Sequence, residues 1–342
     1  MKYFIVIFLV IAISLDTYAQ IRGFYDGNHY FEKESKPFFA PPKKSTHFSL
    51  LFGPSNYLGD LGGNTGIGKA FWSDNNFKKR TFFYGFALTH YRYEAVGIRL
   101  NYSAGKIAGS DEDVTYKNIY DNAYFRFKRN LNFQSKISEG SLLLEIIPFK
   151  FINYNKSISQ MALQPYFLLG IGLYKFNPQG SYFDDIQDDY VWVDLQPLRT
   201  EGQGMTEYPT RKEYKLTQAN IPFGMGIRYA ISDKTSLSFE FVGRKLFTDY
   251  LDDVSTNYIS PALFSKYLNE EDAAIAKIIN NKSNIIDPDN PYQVGNKRGN
   301  PKRNDFYYSF NLKFSVRISK MKDIANFIKG TIYKYDDNEI CE

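Results

Sequence analysis

The chain has 342 residues and a mass of 39.7 kDa, enough for two ordinary soluble domains. It is 18% aromatic yet has a mean hydropathy of -0.40. That suits neither a helical membrane protein, which needs runs of about 20 apolar residues, nor a disordered chain. A net charge of +5 is too diffuse for a nucleic-acid binder, and the single Cys341 excludes an internal disulfide and any multi-cysteine metal site.

Met1-Lys2 opens the chain, Tyr3 to Leu15 is apolar, and Thr17-Tyr18-Ala19 precedes Gln20. A charged start, a short apolar core and small residues at the cleavage point describe a secretory signal peptide over residues 1–19. The apolar run is too short to span a bilayer, which takes roughly 18 residues or more. No cysteine follows it, which excludes a lipoprotein. Losing Lys2 and Asp16 leaves the net charge unchanged.

Period-2 alternation then marks strands with one apolar and one polar face. In chain order the segments are 47–57 (Phe48, Leu50, Phe52), 81–91 (Phe82, Tyr84, Phe86, Leu88), 95–104, 133–150, 160–174, 219–231, 235–248 and 305–318. Segment 95–104 sets Val96, Ile98, Leu100 and Tyr102 against Gly97, Arg99, Asn101 and Ser103. The last is clearest, with Phe306, Tyr308, Phe310, Leu312, Phe314, Val316 and Ile318 opposing Asp305, Tyr307, Ser309, Asn311, Lys313, Ser315 and Arg317. Phase slips between Ile137 and Leu142, which predicts a bulge near Gly140. Pro148 and Pro222 fit only a strand end or a locally broken ladder.

Long and short connections alternate: 58–80, 92–94, 105–132, 151–159, 175–218, 232–234 and 249–304. Short turns on one side and long loops on the other are the rhythm of an antiparallel barrel crossing a membrane. A soluble sandwich also alternates, but it points the apolar face inward. With the export signal, the rhythm predicts an all-β, eight-stranded antiparallel transmembrane barrel in the outer membrane, with long extracellular loops and both termini in the periplasm. The expected division is signal 1–19, periplasmic segment 20–46, barrel 47–318 and periplasmic tail 319–342. An eight-stranded lumen is filled by side chains rather than water. Arg99, Glu139, Glu145, Arg228, Glu240, Arg244, Lys313 and Arg317 share the polar parity, or nearly so, and are expected to plug it by pairing. Tyr57, Tyr91, Tyr93, Tyr102 and Tyr229 lie near strand ends, where an aromatic girdle belongs.

Other patterns carry less. Gly63 to Ala70 almost spells a phosphate loop but has Ala70 where the magnesium-binding hydroxyl belongs. His29, His47 and His90 have no metal spacing. His90 has lipid-facing parity without an evident serine partner, which leaves a lipid-modifying enzyme as a rival reading. Asp111-Glu112-Asp113 and Asp184-Asp185 with Asp188-Asp189 lack the pattern of a calcium loop and read as solvated loops. Lys297, Arg298, Lys302 and Arg303 make a basic cluster that lipopolysaccharide phosphates would suit. No cofactor and no catalytic residue is expected.

Two strings go beyond pattern. Tyr57-Leu58-Gly59-Asp60-Leu61 ends the first strand, and Arg129-Asn130-Leu131-Asn132-Phe133 opens the fourth, with Gly109-Ser110-Asp111 between them. In this order the chain resembles the PorG-type outer-membrane barrels of Bacteroidetes. The resemblance implies a part in the type IX secretion system and contact with periplasmic ring subunits. The loops 175–218 and 249–304 are long for that family. Asp60 and Arg129 both fall at the mouth, where they are expected to lie within charge-pair reach. In the tail, Met321, Ile324, Phe327, Ile328 and Ile332 recur as one apolar helical stripe, a place for a periplasmic partner to dock or for the barrel floor to be covered.

Overall fold

A computed structural model describes residues 44–63, 81–151, 163–232 and 234–318. The signal, nearly all of segment 20–46, the phosphate-loop look-alike beyond Gly63 and the tail 319–342 lie outside the described residues. The strands are β1 (Ser45–Leu58), β2 (Thr81–Tyr93), β3 (Val96–Ser110), β4 (Asn132–Ile146), β5 (Leu163–Asp184), β6 (Asp189–Asp194), β7 (Thr217–Ala230), β8 (Thr235–Leu246) and β9 (Phe306–Ile318). The helices are α1 (Asn122–Arg129), α2 (Phe264–Tyr267), α3 (Glu270–Asn280) and α4 (Ser283–Ile286). Strand order is β4-β3-β2-β1-β9-β8-β7-β5-β6, and a further β4–β5 pairing closes the sheet. All pairs are antiparallel. The fold is a closed eight-stranded antiparallel barrel, with β6 folded back on the upper end of β5 as a hairpin outside the wall.

The faces decide what kind of barrel this is. On β3, Ile98, Leu100 and Tyr102 point outward and are 58%, 61% and 43% exposed, whereas Arg99, Asn101 and Ser103 are buried inside. On β9, Leu312 faces out while Ser309, Asn311, Lys313 and Ser315 are buried. Phe310 and Phe314 are half-buried on the outer face, and Ile227 on β7 is exposed. A polar interior under an apolar exterior is the inverse of a soluble sandwich and matches a lipid environment. The strand ends joined by the long connections, 59–80, 111–131, 185–216 and 247–305, lie at one end of the barrel, termed upper here, and those joined by the short connections lie at the other.

The interior changes character with height, and this corrects the sequence reading. Phe83, Ile107, Phe133, Ile137, Tyr174, Phe176 and Tyr307 fill the upper lumen as an apolar cluster. Ile137 therefore points inward without any slip, and β4 keeps continuous register through Gly140 with both neighbours, so no bulge exists there. The apolar residues change face because the interior does. A register shift occurs instead between Tyr91 and Tyr93. Tyr57 and Tyr91 are buried inside the barrel and are not girdle residues, whereas Tyr102 and Tyr229 face outward. Pro222 interrupts the β5–β7 ladder, whose pairing lapses between Leu169–Phe223 and Gly172–Asn220. Strands β3 and β5 run past the predicted ends at 104 and 174.

Candidate functional site

Two layers stand out, a charged plug in the lumen and a folded cap above it. In the plug, Arg99 grips Glu240 with two bonds of 2.7 and 3.1 Å. Lys313 lies 2.6 Å from the same carboxylate and 3.5 Å from Glu145. Arg99 reaches Glu145 at 3.8 Å, and Arg228 pairs with Glu145 directly. Tyr166 donates to Glu240 at 2.5 Å, Tyr91 donates to Glu145, and Lys313 sits 4.6 Å over the Tyr166 ring. Above them Arg244 holds Glu139 at 3.1 Å, and Tyr307 and Asn220 donate to that carboxylate. A void of about 10 Å³ bordered by Arg99, Glu139 and Arg244 leaves room for about one water. The lumen is closed. Arg317, on the same strand as Lys313, is half-buried and joins neither glutamate.

The cap is assembled around Arg129. Its Nε and one Nη donate to the two oxygens of Asp111 at 2.7 Å each, and further bonds of 2.5 Å reach the carbonyls of Asp60 and Arg298. Asp60 and Arg129 thus meet as expected: the hydrogen bond goes to the Asp60 carbonyl, and the guanidinium charge also pulls against the upward push of burial on the Asp60 carboxyl. The carboxylate partner is Asp111, fully buried rather than solvated, which also accepts from the amides of Gly62 and Leu131. Asn130 ends α1 with a φ of 56°, turning the chain so that Leu131 and Phe133 enter the core. Phe133 meets the Tyr57 ring at 4.7 Å, and Asn132 ties the strand to Ser181. Tyr57 donates to Asp252, whose carboxylate also caps the amides of Asp60 and Leu61. At Gly59 a Cβ would run into the Tyr57 hydroxyl and Asp305. The two strings and the Gly109-Ser110-Asp111 stretch are one contact.

The rest of the cap has its own core, in which Leu195, Leu198, Met205, Ile259, Phe264 and Ile279 pack together. Glu201, fully buried, receives Arg298 at 2.9 Å and the amides of Ser255 and Thr256. Arg298 is therefore spent internally and drops out of the basic cluster. Beneath lies a set of buried acids. Burial raises Asp252 to about 7, with Asp253 beside it, and Asp253 itself to about 6. Burial with Asp60 nearby raises Asp249 to about 8, and burial with Asp252 and Asp249 raises Asp305 well above the carboxylate range. Lys282 is lowered to about 8 by burial and by Arg298. A cleft of about 1,090 Å³ opens beside this set, lined by Arg126, Arg129, Lys245, Lys297 and Lys302 together with Asp60.

No family model matches the chain, and no curated protein matches it. Among solved structures, a major outer membrane protein from Thermus thermophilus is similar at 11% identity, with 80% of this chain and 99% of that one covered and a TM-score of 0.36. Ail, the attachment invasion locus protein of Yersinia pestis, is similar at 8% identity over 80% and 99%, with a TM-score of 0.32. OprG, an outer membrane protein of Pseudomonas aeruginosa, is similar at 10% over 82% and 99%, with a TM-score of 0.31. At these values the likenesses carry no functional argument, and the fold stands on strand register.

Of the residues singled out by sequence, Arg99, Glu145, Arg228, Glu240 and Lys313 form one network, and Arg244 joins Glu139 in another. Met321, Ile324, Phe327 and Ile328 lie outside the described residues. His90 faces outward with Nδ1 3.0 Å from the Thr46 hydroxyl, and no carboxylate bonds to it among the described residues. Asp184 bonds within its own turn, to the amides of Ile186 and Gln187. Sequence reasoning missed Glu201, Asp249, Asp252, Asp253 and Lys282. Their surroundings come from loops far apart in sequence, and nothing local marks them.

Proposed function

We propose that this protein is an integral outer-membrane barrel without enzymatic activity that anchors and organises a type IX protein secretion assembly. The observation that carries the anchoring part is the closed lumen under a cap with its own core. A barrel filled by paired charges conducts nothing, and a cap tied down by Arg129 and Glu201 offers a fixed surface rather than loose loops. The secretion part rests on the two strings, which are spent on building that cap. In this reading the cap is extracellular, the periplasmic tail 319–342 meets secretion-ring subunits, and the partners are lipid, lipopolysaccharide and protein rather than nucleic acid. The test is a chromosomal deletion followed by measurement of surface-delivered cargo. Loss of cargo delivery, restored by the wild-type copy but not by one truncated after residue 318, supports the reading. Unimpaired delivery in the deletion strain overturns it.

One observation favours a second reading, a surface barrel that binds an anionic ligand, namely the basic cleft beside Arg126, Lys245, Lys297 and Lys302. A lipid-modifying role has less support, because His90 has only Thr46 as a partner among the described residues. An unchanged lipid A mass spectrum in a His90→Ala strain is the expected result.

A further inference from the structure

The outer wall of the barrel carries a row of charge that neither the plug nor the cap uses. Strand register aligns the outward side chains of β3, β4 and β5 in rungs: Ile98–Leu144–Leu169, then Leu100–Leu142–Ile171, then Tyr102–Gly140–Leu173. The next two rungs upward are Ala104–Ser138–Lys175 and Lys106–Lys136–Asn177. On these three strands the apolar run therefore stops at one rung, and three lysines begin immediately above it. Lys106 and Lys136 are directly paired, with Cβ atoms about 5 Å apart, and Lys175 is the diagonal neighbour of Lys136 at about 7–8 Å. All three are exposed, and none has an ion-pair partner among the described residues. Like charges directly opposite on a ladder repel, so the arrangement is suited to an anion lying between them.

The surroundings specify which anion. A groove of about 480 Å³ runs between the lysines and the rings of Phe82 and Tyr84 on β2, with Ala104 and Ser138 as its floor. Just below, Gly140 leaves open space where a side chain would stand. Cations on one wall fit phosphate, flat rings on the other fit the face of a sugar, and the apolar rungs beneath fit acyl chains. A free anion would use only the first of these features. The lysines sit where the outward apolar run of β3, β4 and β5 ends, a position that suits contact with lipid headgroups.

We propose that Lys106, Lys136 and Lys175, with Phe82 and Tyr84, form a binding site for the phosphorylated sugar headgroup of an outer-leaflet glycolipid. The site deepens the membrane reading above and rests on it. It assigns the lipid contact to the rigid wall of β2 to β5 and not to the loops. Strands hold the three lysine Cα atoms at fixed spacing before the lipid arrives, so binding orders only the side chains and not the backbone.

The test uses full-length protein in detergent, titrated by native mass spectrometry with bis-phosphorylated lipid A, with the same lipid stripped of phosphate, and with inorganic phosphate as competitor. Wild type should bind the phosphorylated lipid at least tenfold more tightly than the stripped one, and inorganic phosphate at equal concentration should not displace it. The triple variant Lys106→Gln, Lys136→Gln, Lys175→Gln should lose that preference and still give a heat-modifiable band, since it removes repulsion rather than a contact. A control triple at the exposed cap residues Lys212, Lys215 and Lys277, which line neither the groove nor the cleft, each changed to Gln, should behave as wild type. Equal binding by wild type and the groove variant, no preference for phosphate, or displacement by inorganic phosphate would each overturn the proposal. Flotation with phosphatidylcholine vesicles that contain no phosphorylated glycolipid separates the two levels. Failure to insert there overturns the membrane reading itself, whereas insertion without headgroup selectivity overturns the groove alone.

Discussion

Replacing Glu240 by Gln keeps the volume of the side chain and removes its charge, which makes it the sharpest perturbation of the plug. In the wild type three cations (Arg99, Arg228 and Lys313) share two carboxylates, Glu145 and Glu240, all shielded from water except for part of Arg228. After the change one carboxylate serves all three. A unit-charge pair about 4 Å apart at an effective dielectric of about 20 is worth ~4 kcal/mol. Removing one partner of a buried pair costs about 3–5 kcal/mol, because the other charge stays buried. Glu145 already lies 3.8 Å from Arg99 and 3.5 Å from Lys313 and can take up part of the excess. The expected loss is therefore near the lower limit, about 3 kcal/mol. Urea titration of the folded, heat-modifiable band in lipid vesicles measures it. A double-mutant cycle with Arg99→Met should show that the two changes together cost much less than their sum. A loss below about 1 kcal/mol, the range of exposed pairs, would mean that the lumen is wet and the plug reasoning wrong.

Arg129→Met should leave the barrel heat-modifiable but open the cap to protease at residues 59–63 and 111–131, since bonds to Asp111, Asp60 and Arg298 vanish together. Gly59→Ala should do the same more mildly, because the added methyl meets Tyr57 and Asp305; normal protection of the cap in this variant would refute that packing. The buried acids predict a pH dependence of defined sign. Asp249 and Asp252, raised to about 8 and about 7, hold protons in the folded cap that the unfolded chain has released. Cap stability should therefore fall as pH rises from about 4 to about 8, by up to about 1.4 kcal/mol per pH unit for each acid. Proteolysis at pH 6 and pH 8.5, corrected for protease activity, measures this. Asp249→Asn should flatten the dependence, and an unchanged or reversed slope would contradict it.

The wall was legible because each strand presents one face to lipid and one to the plug. Segment 95–104 alternates cleanly, and the structure keeps that parity from Ile98 to Tyr102. Legibility ended where the contrast ended. Above Glu139 the lumen turns apolar, so Ile137 and Phe133 look misphased although the ladder is regular. For the same reason β5 disappears from the pattern at Lys175, although it continues to Asp184 and folds back through β6. The plug was readable from parity alone, with Arg317 as the residue that parity placed and geometry does not use. The cap was readable only at the two strings. Asp111 stood in one flagged stretch and Arg129 in another, but nothing in the sequence said that Arg129 would take the Asp111 carboxylate and only the Asp60 carbonyl. Glu201 and Asp252 were invisible, since irregular loops have no period and their partners lie some 50 to 195 residues away.

Conductance across a planar lipid bilayer tests the closed barrel most directly. Purified full-length protein would be reconstituted, with its insertion shown by the heat-modifiable band recovered from the same vesicles. A lumen filled by the Arg99–Glu240–Lys313–Glu145–Arg228 network and covered by the cap predicts a bilayer that stays at its baseline current, for the wild type and for Arg129→Met alike, because the plug lies below the cap. Stable, ohmic conductance steps from the wild type would contradict it.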